Sequence, residues 1–335
     1  MLRRSLVFTS PGQVSICDEE LSPPGPDQVG VQTLLSAISP GTEMLFYRGQ
    51  FPTDLALDEN IAALQAQPAY PMKYGYSLVG RVDALGAAVD PAWLGRLVFA
   101  FHPHESRFNA RVDDLLPLPP DITPEQAVLL PNMETAVGFV MDGAPLLGEE
   151  VVVFGQGIVG LLTTAVLARF PLGSLVTLDK LPHRRAISLE MGAHASFDPA
   201  DIGQVKTLLA GGADLCFEVS GSPSALDQAI ALTGYSGRIL IGSWYGTKAA
   251  SLDLGGRFHR SRIRLLSSQV SRLAPELSGR WTKARRFGVV WELLKEVQVS
   301  RLITHRIPFE QAAQAYQLID HSLGETLQVV LTYTD

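Results

Sequence analysis

The feature that most constrains this chain is one hexapeptide. Gly155-Gln156-Gly157-Ile158-Val159-Gly160 directly follows the apolar run Val151-Val152-Val153-Phe154. The run predicts a buried strand, and residues 159–170 predict an apolar helix. Asp179 stands nineteen residues past Gly160, at the end of the next expected strand, 174–178. Strand, G-x-G-x-x-G loop, helix and acidic residue in this order predict the first βαβ unit of a dinucleotide-binding domain. Gly155 permits the tight turn, Gly157 lets backbone approach a pyrophosphate, and Gly160 lets the helix pack closely on the strand. The helix opening at Ile158 and Val159 offers unpaired N–H groups and a positive dipole end to phosphates. Asp179 is placed to accept from the adenosine ribose hydroxyls and to repel a 2′-phosphate, which favours NAD over NADP. Lys180, His183, Arg184 and Arg185 follow closely and offset that repulsion, so NADP stays open.

The rest of the chain is organised around this unit. Its 335 residues suit two domains, or one large one. Residues 1–130 read as short strands between turn residues, with strands at 29–38, 78–86 and 96–101 and a helical patch at 58–67; a barrel-like β domain is expected. Thr123 and Pro124 mark a capped helix start. From there strands and helices alternate, with strands at 213–219 and 237–242 and helices at 182–191 and 223–233. That is the rhythm of a parallel sheet covered on both faces. After about residue 265 the pattern turns mixed again, with a helix at 283–296.

Composition excludes several classes. The net charge is −7, which supplies no basic field for nucleic acid. The two cysteines, Cys17 and Cys216, cannot build a disulfide framework or a cysteine-rich zinc module. They read as reduced thiols of a cytoplasmic protein. No apolar stretch suits a signal peptide or a membrane span. One local reversal of charge stands out: nine basic residues between Arg257 and Arg286 face a single carboxylate, Glu276. Arginine suits carboxylate or phosphate recognition, and a solvated face or subunit contact is the plainer reading. Trp244, Tyr245, Phe258 and Trp281 are candidates to line a cleft for a flat substrate, or to be core.

Taken together, the chain resembles the medium-chain dehydrogenase/reductase superfamily over nearly its whole length. The resemblance rests on Gly41-Thr42-Glu43 and on Gly75-Tyr76-Ser77-Leu78-Val79-Gly80. It continues through the fingerprint, Glu190-Met191-Gly192-Ala193, the segment 212–221 and Gly237-Arg238-Ile239-Leu240-Ile241-Gly242. It implies an α/β fold with a Rossmann nucleotide-binding domain, 134–264, inserted into a mainly β, GroES-like catalytic domain formed by 1–133 and completed by 265–335. It also implies hydride transfer to or from nicotinamide, with Ser220, Gly242 and Ser243 joining the fingerprint, Asp179 and Lys180 at the cofactor. The sheets of such proteins commonly pair edge to edge, so a homodimer is expected.

The departures point to a branch without zinc. Zinc-bearing relatives have cysteine where this chain has Pro40, and Gly-His-Glu where it has Gly75-Tyr76-Ser77. Their cysteine-rich loop is absent; residues 102–105 read His-Pro-His-Glu instead. Proline offers no side-chain ligand and neutral tyrosine is a poor one. His102 and His104 are two histidines without a third known partner, so no metal is expected there. The catalytic candidates are Tyr76, as proton partner or packing residue, with Thr42 and Glu43 on the neighbouring turn. Glu43 reads as a base or as the group that orients Tyr76 or a loop N–H. Ser39 and Tyr47 are weaker candidates for proton relay. The expected reaction joins an alcohol and a ketone, with a small, acidic or planar substrate. Quinone or enone reduction is the alternative enzyme reading, and nucleotide binding without chemistry is the alternative to an enzyme.

Overall fold

In the computed structural model, which describes residues 1–54, 64–322 and 324–334, the chain divides into two units. Unit 1 is Met1–Pro131 with Leu294–Asp335, and unit 2 is Asn132–Leu293. Most of the expected helical patch at 58–67 lies outside the described residues.

Unit 1 begins with an antiparallel hairpin, β1 (Leu2–Ser10) and β2 (Gln13–Glu20), closed at Pro11-Gly12. Then come β3 (Gln28–Ile38), helix α1 (Glu43–Arg48), β4 (Leu78–Leu85), β5 (Leu97–Ala100), β6 (Arg107–Arg111), β7 (Leu115–Pro117) and α2 (Pro124–Ala127). Helix α2 starts on a full capping box. Thr123 Oγ1 accepts from the Gln126 N–H and Gln126 Oε1 from the Thr123 N–H, satisfying two otherwise orphaned donors.

Unit 2 carries most of α3 (Leu130–Gly143), then β8 (Glu150–Phe154), α4 (Ile158–Leu167), β9 (Ser174–Leu178), α5 (Pro182–Glu190), β10 (Ala195–Phe197) and α6 (Ile202–Leu208). It goes on through β11 (Ala213–Glu218), α7 (Pro223–Leu232), β12 (Thr233–Ile241), β13 (Arg264–Ser267), α8 (Pro275–Ser278) and most of α9 (Lys283–Glu296). The six strands form one parallel sheet in the order β10-β9-β8-β11-β12-β13. The order reverses between β8 and β11, which makes that crevice the topological switch point. Val151, Val152 and Val153 of β8 and Leu161 and Leu162 of α4 are fully buried, as expected for a central strand under a covering helix.

The chain returns to unit 1 through β14 (Ile303–Pro308), α10 (Ala312–His321) and β15 (Gln328–Thr332). Strand β15 pairs with β3 in the sheet β14-β15-β3-β4-β5-β7, with β6 also on β3. The C-terminal boundary differs from the expected 265. Strand β13 adds to β12 as the sixth strand, and Arg286 of α9 is ion-paired to Glu134 of α3, so residues 265–293 belong to unit 2. Among the described residues no helix is long and apolar enough to cross a membrane.

Candidate functional site

In unit 2 the fingerprint is a cradle that side chains would fill. Gly155 has φ +91°, and a Cβ there would stand 2.5 Å from Ser220 Cα. A Cβ on Gly160 would stand 1.9 Å from the Gly155 carbonyl oxygen. Gly157 is different: a Cβ there would meet only Arg184 Nη1, at 3.8 Å, so its face is open to a ligand. Gly157 caps α4 without a side-chain hydrogen bond, leaving the first-turn N–H groups, Ile158 and Val159 among them, for an anion.

Asp179 sits just beyond β9 and is nearly buried. Its Oδ2 accepts from the Gln156 N–H at 2.7 Å and its Oδ1 from the Leu181 N–H at 2.8 Å. Each oxygen keeps a second lone pair for a ribose hydroxyl. The carboxylate thus also fixes the glycine loop, a role the sequence did not show. Lys180 is exposed on the following turn. Arg185 is engaged elsewhere, with Asp198 at 3.1 Å and the carbonyl of Asp179 at 2.8 Å. Burial lowers the pKa of Arg184, and the Asp179 charge opposes that shift.

Across the switch point, Glu218 closes β11 as a fully buried carboxylate. Its Oε1 accepts from the Ser220 N–H at 2.9 Å and hydroxyl at 2.5 Å, and its Oε2 from the Tyr245 hydroxyl at 2.5 Å. Its carbonyl accepts from the N–H groups of Gly242 and Ser243, and Ser243 Oγ accepts from the Gly221 N–H. The predicted residues Ser220, Gly242 and Ser243 therefore meet around Glu218, which the sequence reading passed over as part of a longer motif. Burial raises the Tyr245 pKa, and the Glu218 hydrogen bond and charge raise it further. Of the basic segment only Arg286 is buried; Arg260, Arg262, Arg264 and Arg272 face solvent, and Arg285 lies 4.0 Å over the Trp281 ring.

In unit 1 the three catalytic candidates lie on two adjoining segments. The Tyr76 hydroxyl donates to Ser39 Oγ at 2.6 Å, and Ser39 Oγ also accepts from the Thr42 N–H at 3.3 Å. Thr42 contributes that backbone group at the start of α1. Glu43 is fully buried. Its Oε1 accepts from the Ser39 N–H at 2.8 Å, and its Oε2 bonds to His104 Nε2 at 2.9 Å and to the Tyr316 hydroxyl at 2.5 Å. Glu43 thus grips a loop N–H, and neither of its oxygens is exposed. Tyr47 is buried between Tyr316 and its neighbours rather than on a relay.

His104, weighed from the sequence only as a metal ligand, is a buried hydrogen-bonded histidine at the centre of this network. Its Nδ1 lies 2.7 Å from Ser36 Oγ, which lies 2.9 Å from the Tyr333 hydroxyl. Gly75, at φ +130°, leaves the room: a Cβ there would stand 2.8 Å from the His104 ring. Ser36, His104 and Glu43 form a serine–histidine–carboxylate line, but all three are sealed from solvent, so a substrate cannot reach the serine. Burial and the Glu43 charge hold the Tyr316 hydroxyl protonated, well above its ordinary range.

The donors around Tyr76 do not fit a zinc ion. Pro40 has no ligating atom, the Ser77 hydroxyl donates to the Val128 carbonyl, and His104 spends both ring nitrogens in the network. His102 bonds Glu105 at 3.1 Å. Among the described residues no group of three or more His, Cys, Asp or Glu side chains could hold a metal.

Comparison with known proteins agrees with this architecture. Residues 159–287 match the zinc-binding dehydrogenase family. The chain is 24% identical to D-guloside 3-dehydrogenase of Escherichia coli K12 over 98% of its length and all of that protein's. It is 20% identical to the starvation-sensing protein RspB of the same strain, over 99% of its length and all of that protein's. The structure of rspB from Escherichia coli CFT073, solved with NADH, superposes with a TM-score of 0.80 at 20% identity, covering 99% of both chains. That of 2R,3R-butanediol dehydrogenase from Bacillus subtilis gives 0.79 at 19% identity, covering 98% of this chain and 99% of that one. Fold, fingerprint and likenesses place the chain in the medium-chain dehydrogenase/reductase superfamily, among the alcohol dehydrogenase-like proteins. It is an oxidoreductase with a GroES-like, mainly β unit and a Rossmann unit.

Proposed function

We propose that this protein is a nicotinamide-dependent dehydrogenase that interconverts a secondary alcohol and its ketone without a catalytic metal, with Tyr76 as proton partner. The observation that carries the reading is the Tyr76–Ser39 hydrogen bond, held where zinc-bearing relatives have a histidine ligand. The open face of Gly157, the first-turn N–H groups of α4 and the spare lone pairs of Asp179 suit a dinucleotide with an unmodified adenosine ribose. A bound nicotinamide supplies or accepts the hydride. The relatives' names, a guloside and a butanediol dehydrogenase, support a hydroxyl-bearing small molecule as substrate.

Proton transfer then falls to this chain's own groups. In the reducing direction the Tyr76 hydroxyl gives its proton to the oxygen of the forming alcohol. The phenolate left behind needs a hydrogen-bond donor until water returns its proton. Ser39 Oγ accepts from Tyr76 and from the Thr42 N–H, so its own hydrogen remains to turn toward the phenolate. Glu43 keeps that serine in place through its backbone N–H. In the oxidising direction the same groups run in reverse.

The test is NADH oxidation with a panel of ketones, before and after removal of metal by a chelator. Activity should survive chelation, and Tyr76→Phe should lower turnover by about 10²–10⁴-fold with nucleotide affinity unchanged. Activity that vanishes on chelation and returns with zinc, or a Tyr76→Phe variant at the wild-type rate, refutes the reading.

A further inference from the structure

Helix α3 carries a charged face that the proposed chemistry does not use. Glu134 and Asp142 are two turns apart on it, with Gly138 between them. The Arg286 guanidinium lies over that glycine, its Nη1 3.8 Å from where a Gly138 Cβ would stand. Arg286 and Glu134 are each 2% exposed. Arg286 Nη2 is shared between Glu134 Oε1 and the Val270 carbonyl, both at 2.5 Å, and its Nε has no hydrogen-bond partner. Two residues earlier, the Ser268 hydroxyl donates to Asp142 Oδ2 at 2.5 Å, and the Ser268 N–H to the Ile241 carbonyl. Both acids of α3 are thus tied, directly or through Arg286, to the short segment 268–270 that follows β13.

The position of that segment gives the arrangement its meaning. Helix α3 reaches the carboxyl end of the sheet, where the Phe139 ring lies against Gly242: a Cβ on Gly242 would stand 2.3 Å from it. Glu134, five residues earlier, lies about 7.5 Å further along the helix. If Asp179 holds the adenosine ribose beside β9, the other half of a dinucleotide must cross the switch point toward β11 and β12. Three strand spacings, about 14 Å, separate β9 from β12, and β13 is the next strand. The 268–270 segment therefore stands at the nicotinamide side. A buried ion pair is a costly way to stabilise a fold, since well-packed apolar residues of similar volume often do as well. What this pair adds is a fixed direction for one backbone carbonyl.

We propose that Glu134 and Arg286 are a positioning pair, which holds the segment after β13 as a wall of the nicotinamide half of the cofactor site. The inference rests on the dinucleotide reading above, and the test separates the two. NADH and ADP-ribose, which lacks the nicotinamide, are titrated into the full-length protein by calorimetry. Removing one charge alone risks unfolding, so the main variant is the double replacement Glu134→Leu with Arg286→Met. Ser268→Ala, which leaves the pair intact but frees Asp142, is the second. The double variant should bind ADP-ribose within twofold of wild type and NADH at least tenfold more weakly. Ser268→Ala should shift NADH alone, by a smaller factor, and Arg286→Lys, which keeps a cation beside Glu134, should lose less NADH affinity than the double variant. Equal weakening of both probes, or unchanged NADH affinity in the folded variants, overturns the pair's role. Wild-type protein that binds neither probe overturns the dinucleotide reading itself, and the pair's role with it.

Discussion

Replacing Glu105 by glutamine should unsettle the turn from Ser39 to Glu43 without touching it. The Glu105 side chain is 4% exposed. Its Oε1 accepts from the Ser5 hydroxyl at 3.0 Å and from Lys73 Nζ at 2.7 Å, and its Oε2 bonds to Arg3 Nη1 and His102 Nε2, each at 3.1 Å. Burial alone would raise its pKa; the hydrogen bonds and charges of His102 and Lys73 more than reverse that and hold it at about 2, against an ordinary 4.5. A carboxyl so depressed contributes about 3 kcal/mol of stability. The sign follows from the depression. The contribution is fully present above pH 4.5 and is lost as pH falls through 2. The same loop carries His104, whose carbonyl accepts from the Leu6 N–H at 2.9 Å and whose ring bonds to Glu43. Glu105→Gln should therefore lower the stability of unit 1 by about 2–4 kcal/mol at pH 7, because Arg3 and Lys73 are left with Glu19 as their one shared carboxylate partner and His102 loses its acceptor. Urea unfolding followed by circular dichroism at pH 7, 4.5 and 2 reads the effect, and amide exchange at Leu6 locates it. The gap between wild type and variant should close between pH 4.5 and 2. Equal stability at pH 7, or a gap that persists unchanged at pH 2, refutes the reasoning.

Three further outcomes are expected. NADH should bind more tightly than NADPH, and Asp179→Asn should weaken NADH by about 1–2 kcal/mol, the worth of a hydrogen bond to a charged acceptor; a tenfold calorimetric preference for NADPH would show that Lys180 and Arg184 decide the site. Elemental analysis should find far less than one zinc per chain, since among the described residues no group of three or more His, Cys, Asp or Glu side chains could hold a metal; one tightly held zinc per chain contradicts this. The protein should be a homodimer, because among the described residues β13 pairs with β12 alone and ends the sheet as an edge; light scattering that shows a monomer at micromolar concentration contradicts it.

The parts legible in the sequence are those whose geometry is local. The glycine loop reads directly because steric limits at Gly155 and Gly160 act within a few residues of each other, and Asp179 follows at a spacing set by one helix and one strand. Thr123, Pro124 and Gln126 state a helix start within four positions. Strand β15 was not legible, because what makes it a strand is its pairing with β3, almost 300 residues away. The boundary near 265 misled for a related reason. The arginines that begin there change the composition, yet Arg264 is an exposed residue of a strand whose fellows pair with β12, so surface chemistry changed where the fold did not.

The network behind Tyr76 was hidden for the same physical reason, and its logic is clear only once assembled. Ser36, Glu43, His104, Tyr316 and Tyr333 come from separate segments of unit 1, and of these only Glu43 stands out in the sequence as a site candidate. Glu43 is a carboxylate removed from water, which is tolerable only when its oxygens are well supplied with donors. Ser39, His104 and Tyr316 supply them. Those same bonds fix the turn from Ser39 to Glu43, so Ser39 Oγ is held in place for Tyr76 in advance; under the proposed chemistry only its hydroxyl hydrogen has to turn. Replacing His104 should then act on catalysis through Glu43 and Ser39, at a distance from any substrate.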